Sequence, residues 1–251
     1  MAIKLGRQMT SMPGGLAVSA GRIDDMALFG TSGINEAVST AHETVCTQGG
    51  IRNILTTGEV LKITSTSTDD TNSGSGHARR VRIKGILADG TQGQEDVNLN
   101  GTGVVDTANS WLHINDFRVQ KVGSGGAVNA GKITAFANDG TTVLYEIAVG
   151  ENQQQSASFA IAAAEAGYLN SFVVSATGDA IVSVWVCPSP GNTPFFQKLT
   201  LFVGAGGPAP YSLPNPFSIP GGGIVEFRAK RAGGSDVKVG ADFQILIETN
   251  P

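Results

Sequence analysis

From residue 58 onward the chain alternates apolar and polar side chains with a period of two. Residues 60–67 (VLKITSTS) set Leu61 and Ile63 against Lys and Thr, and residues 79–87 (RRVRIKGIL) set Val81 and Ile83 against Arg80, Arg82 and Lys84. Residues 96–100 (DVNLN) repeat this with Val97 and Leu99, and KITAF, TVLYEIAV, YLNSFVVS, AIVSVWV, KLTLFV, GIVEFRAKR and VKVGADFQILIE continue it. Successive side chains of a strand point to opposite faces, so such runs mark half-buried strands. Asp89-Gly90, Asn100-Gly101 and Asp139-Gly140 fall between apolar runs. These residue pairs tolerate positive φ, so each reads as a tight type I′ hairpin. One Ala-rich stretch, residues 157–168 (ASFAIAAAEAGY), competes as a helix, but its strand-like flanks favour strand–turn–strand. A dozen or more strands without intervening helices imply antiparallel sandwiches rather than βαβ units.

The expected fold is therefore all-β: two antiparallel, jelly-roll-like β-sandwich domains preceded by an extended N-terminal arm. The polar, Gln-rich residues 151–156 (ENQQQS) divide the strand series, giving a first sandwich over 58–150 and a second over 151–251. Residues 1–57 have no sustained period and read as a docking arm. Ile3, Leu5, Met9, Met12, Leu16, Val18, Ile23, Met26, Leu28 and Phe29 are too scattered to form a core and too many for a purely solvating tail. Within the arm, residues 34–45 (INEAVSTAHETV) suit a helix or an extended segment equally. Residues 204–223, rich in Pro and Gly, cannot pair centrally and so form a surface loop or an edge crossover.

Composition excludes several classes. The chain has 34 Gly and 10 Pro, yet 41% of its residues are hydrophobic, too many for a disordered tail, and its Gly lacks the period of collagen. Lys and Arg number 17 against 21 Asp and Glu, so no basic excess invites a phosphate backbone and no nucleic-acid partner is expected. No apolar run approaches the roughly 18–20 residues of a membrane helix, and the N-terminus lacks the apolar core of a signal peptide. Cys46 and Cys187 read as two reduced, buried thiols, which suits assembly in a cytoplasm.

Chemistry-bearing motifs are sparse. His42, His77 and His113 lie outside any nucleophile-elbow context, and His113 reads as a sheet-face histidine. Cys and His show no zinc-ligand spacing, and no cofactor is expected. Asp69 and Asp70 sit in a turn rich in Asp, Asn, Ser and Gly; a Ca²⁺ ion there is the less favoured reading. The Gly clusters at 74–76, 123–126 and 221–223 match no phosphate-binding fingerprint. Arg79, Arg80, Arg82 and Lys84 form the only dense basic patch, either paired across the sheet with Glu95 or Asp96 or docking an acidic partner. Trp111 and Trp185 read as core, whereas Tyr211, in the Pro-rich stretch, is the aromatic expected to be exposed and available to a glycan or receptor.

Several stretches together resemble a family of virion-associated structural proteins of tailed phages, especially phages of aquatic bacteria. They are residues 29–35 (FGTSGIN), 43–50 (ETVCTQGG), 63–86 (ITSTSTDDTNSGSGHARRVRIKGI) and 97–107 (VNLNGTGVVDT). Residues 122–135 (VGSGGAVNAGKITA), 147–153 (IAVGENQ), 166–172 (AGYLNSF) and 239–248 (VGADFQILIE) follow in order. The sequence departs from the family pattern at Cys46, where the family has an aromatic residue, and after Val203. The resemblance implies an all-β particle protein of head, neck or tail without catalytic residues. It would be a homo-oligomer that also contacts other virion proteins, with a host glycan or receptor as a further partner.

Overall fold

The computed structural model describes residues 18, 21, 23–191, 193–206, 208–234, 237–249 and 251. Most of the apolar residues that motivate the arm, Ile3 to Leu16, lie outside the described residues. From residue 23 onward every described element is a β-strand: β1 Met26–Val38, β2 Glu43–Thr44, β3 Glu59–Ser65, β4 Ala78–Leu87, β5 Gln92–Asn98, β6 Val105–Val122, β7 Ile133–Phe136 and β8 Val143–Ile147. Then come β9 Ser158–Ala160, β10 Ala166–Ala176, β11 Ala180–Cys187, β12 Phe196–Val203, β13 Ala209–Ile219, β14 Ile224–Arg231 and β15 Val237–Glu248. All pairings between them are antiparallel. The alternation thus marks strands correctly, and residues 157–168 are strand–turn–strand.

Two of the three sheets face each other. One runs β1-β15-β10-β13; the other runs β12-β11-β14-β2, with β9 also paired to β14. Leaving out β3 to β9 and renumbering the remaining eight strands gives orders 1-8-3-6 and 2-7-4-5. This is a double Greek key, the jelly roll. Its core lies between the sheets, where Phe227 stacks on Phe243 (5.0 Å) and meets Phe172 edge-on (5.2 Å) among Val174, Val182, Val184, Val239 and Ile245.

The third sheet, β5-β4-β6-β3-β7-β8, is an insertion in this jelly roll. Its two ends run side by side: Val45 N donates to Phe227 O (2.9 Å), Ala157 N to Val45 O (2.8 Å) and Thr47 N to Gln155 O (2.9 Å). Thus the chain leaves the edge of β14 after β2 and rejoins that edge at β9. The insertion makes its core by curling one sheet. β6 pairs with β4 over its second part and with β3 over its first, and four register shifts along β4–β6 bend it. Leu61, Ile63, Val81, Ile83, Trp111, Phe117, Ile133 and Ile147 fill the concave side. A third apolar cluster, Ile86, Ala160, Ala162, Cys187 and Ile224 with Ile54, Leu112 and Phe195 against it, joins the insertion to the outer face of β11 and β14.

This topology corrects the division expected at 57/58. Residues 26–44 are not an arm. β1 pairs along most of its length with β15, and β2 pairs with β14. Residues 34–45 are extended. Alternation fails in β1 because Gly33 faces inward: a Cβ there would sit 2.1 Å from Ala157 N and 2.3 Å from Val45 O, so only glycine allows this approach. Of the three expected hairpins, Asp89-Gly90 joins β4 to β5 and Asp139-Gly140 joins β7 to β8, whereas Asn100-Gly101 leads from β5 to β6, two strands separated in the sheet by β4. In both hairpins only the glycine has positive φ, 83° and 70°. They are longer loops closed by a left-handed glycine rather than type I′ turns. The Pro-rich stretch is largely edge strand β13, where missing N–H groups leave no central ladder bond unmade. Tyr211 is accordingly not exposed in a loop: half-buried, it stacks on Phe172 at 5.1 Å.

Candidate functional site

The four basic residues separate. Arg82 forms a two-pronged pair with Asp96 (Nε–Oδ1 2.7 Å, Nη2–Oδ2 2.9 Å), and Arg80 Nε lies 3.8 Å from the same carboxylate. The Arg82 hydrogen bonds hold Asp96 below the usual carboxylate range and raise the Arg82 guanidinium. Arg79 donates to the carbonyl oxygen of Asn72 (3.4 Å). Among the described residues no carboxylate lies within 4.0 Å of Lys84, the fourth member. The cross-strand pairing with Asp96 therefore accounts for Arg80 and Arg82, and leaves Lys84 without a carboxylate partner among the described residues.

Lys84 lines a cleft of about 640 Å³ between edge strand β1 and the insertion. One wall is Phe29 to Ser32; the other includes Gln94 of edge strand β5 and Asp116 and Arg118 of β6. Phe29 is 36% exposed and is held against Phe159, ring centroids 5.6 Å apart. Asp116 pairs with Arg118 at 3.3 Å. Asn115, at the base, is fixed through Ala160, donating to its O (2.9 Å) and accepting from its N (2.8 Å). Gln154 Nε2 donates to Asn115 O (3.2 Å), leaving a buried Oε1 without a hydrogen-bond partner.

A second polar cluster is sealed between jelly roll and insertion. Arg52, on the outgoing connection, donates from Nη1 to Tyr145 Oη (2.7 Å) and from Nη2 to Ser158 Oγ (2.6 Å), and its Nη2 lies 3.8 Å from Glu226 Oε2. Nη1 also approaches His113 Nε2 at 3.3 Å. Arginine only donates, so Nε2 accepts and the neutral imidazole carries its proton on Nδ1. Burial first, and Arg52 second, hold His113 well below its ordinary value, while burial pushes the Tyr145 phenol up. Glu226 is bonded on its other side to Arg228, whose guanidinium covers Trp185 (4.8 Å). Side chains of Arg52 and Glu226 are fully buried, so this cluster ties the halves together rather than meeting a ligand. Cys46, beside it, is raised to about 11, chiefly by burial, and both cysteines are free.

The remaining expected residues fall elsewhere. Asp70 is buried and accepts from Ala78 N (3.1 Å), Ala130 N (2.8 Å), Gly131 N (2.8 Å) and Ser65 Oγ (2.6 Å). Hydrogen-bond donors occupy both of its oxygens, and they would have to be displaced by a cation. Among the described residues no group of three or more His, Cys, Asp and Glu is placed to hold a metal. Trp111 is core as expected, whereas Trp185 lies half-buried on the outer face of β11.

No family profile matches the sequence, and no curated protein matches it. Among solved structures, the structure of infectious bursal disease virus, Gx strain, is similar at 10% identity and a TM-score of 0.24, over 94% of this chain and 76% of that one. T=1 particles derived from the same virus give 9% identity and a TM-score of 0.28, over 89% and 70%. Its VP2 subviral particle gives 9% and 0.24, over 89% and 72%. At these TM-scores the likeness carries no argument. The class of the chain rests on its own strand order: a jelly roll with an inserted β-sheet domain.

Proposed function

We propose that this chain is a non-enzymatic structural subunit of a virus particle, assembling with copies of itself. Jelly rolls serve as viral shell domains and as lectin modules, so the fold alone does not select between them. The observation that favours assembly is the sandwich edge opposite the insertion. There β12 ends its sheet with Phe196 46% and Phe202 79% exposed, and β13 ends the other sheet beside it. An unpaired strand edge carrying exposed phenylalanines invites association and is normally covered. In the finer reading, which rests on the resemblance in residues 29–248, the particle is a tailed phage and the subunit sits on its capsid, neck or tail after assembly in the host cytoplasm.

Light scattering of the purified chain at micromolar concentration tests this. The expected result is a defined oligomer that dissociates in Phe202→Asp with its β signature intact. A strict monomer, alone and with particle proteins added, overturns the reading.

A further inference from the structure

We propose that the cleft between β1 and the inserted sheet binds a saccharide bearing a carboxylate. The inference stands on the cleft itself and does not depend on the particle reading. A volume of about 640 Å³ is that of a ligand site. Its polar lining is made largely of planar groups. Gln94 and Gln153 offer exposed amides that both donate and accept, as the hydroxyls of a sugar require, over a floor that includes Asn115 and Gln154. These two floor residues are already set in place, since Ala160 fixes Asn115 and Asn115 fixes Gln154. Phe29, steadied by Phe159, offers an apolar face to the C–H side of a ring.

Charge selects the class of sugar. Lys84 and Arg118 give +2 and Asp116 gives −1, leaving +1 on the lining, and Asp116 is already engaged by Arg118. Among the described residues the ammonium of Lys84 has no carboxylate partner, and a ligand carboxylate would supply one. An acidic peptide laid along the free edges of β1 and β5 is the competing occupant. It would engage backbone groups and leave the amide floor unused.

Isothermal titration of the whole chain against 3′-sialyllactose, trigalacturonate, lactose and hexaglutamate tests the proposal. At least one acidic saccharide should bind, with lactose and the Lys84→Gln variant each weaker by about tenfold, the loss of one charge-assisted contact. Lys230→Gln, outside the cleft, should bind as the parent does, and unchanged thermal melting of both variants excludes misfolding. Binding of hexaglutamate alone overturns the proposal in favour of a peptide. Absence of binding by both acidic saccharides, or binding unaffected by Lys84→Gln, overturns it outright.

Discussion

In the inserted sheet every pairing stays within residues 59–147: β4 with β5 and β7 with β8 through short turns, and β3 and β4 with β6 and β3 with β7 at longer range. In the jelly roll the first strand pairs with the last, and β14 receives β2 and β9 from either side of the insertion. The inserted sheet wraps one layer around its own apolar face, whereas the jelly roll closes two layers on each other. The comparison teaches that one all-β chain can carry a self-contained sheet inside a frame that its distant ends complete.

The seam between the halves offers the sharpest test. Glu226→Ala leaves Arg52 buried without its anion, and losing one member of a buried pair costs about 3–5 kcal/mol. Thermal unfolding followed by circular dichroism should show that loss and a single transition resolving into two; an unchanged melt would mean the halves are held by the apolar cluster around Ile224 alone.

Core truncations then assign the transitions. Trp111→Ala in the insertion and Phe227→Ala in the jelly roll each remove a fully buried ring at about 3–5 kcal/mol. In the Glu226→Ala background each should lower a different transition, and a common shift would contradict the division. Gly33→Ala is expected to cost about 1–3 kcal/mol, because its methyl overlaps backbone of Ala157 and Val45. Gly74→Ala, with no atom within 4 Å of the new methyl, should be neutral, and amide exchange should rise only along β1 in the first variant.

The smallest effect is a pH dependence. His113 is neutral in the fold, facing Arg52 and Tyr145, and its folded value lies below the ordinary one near 6.5. The unfolded chain therefore binds the extra proton first, and stability falls as pH drops below about 6.5 until the folded value is reached. His113→Gln should flatten that slope in melts taken across the acid range, and an unaltered slope would assign it to other groups.

What sequence made legible follows the same division. The strands of residues 58–150 stand out because each buries one face and the turns carry Asp-Gly. β1 carries no such pattern because its inward positions include Gly33 and Asn35, and its partner is β15, some 200 residues further along the chain. The basic run was visible, but which of its members keeps a free charge depends on Asp96, placed by a hairpin register that composition does not reveal. Arg52 and Glu226 carry no periodic signal at all; Glu226 occupies an outward position of an alternating strand, where a solvated acid is the ordinary expectation. Phe29 and Gln154 become neighbours of one cleft only through the fold of the insertion over β1.

The pairing of β1 with β15 also sets a timetable. On the ribosome the insertion has all its strands once Ala157 is made, but β1 has no partner until Val237–Glu248 appears. At about 5–20 residues per second, synthesis from Ala157 to Val237 takes on the order of 4–16 s. For that interval the nascent chain carries a finished outer module and an unfinished frame. The sheet of β1, β15, β10 and β13 is completed only with β15, so through that interval the jelly roll still lacks one of its two faces.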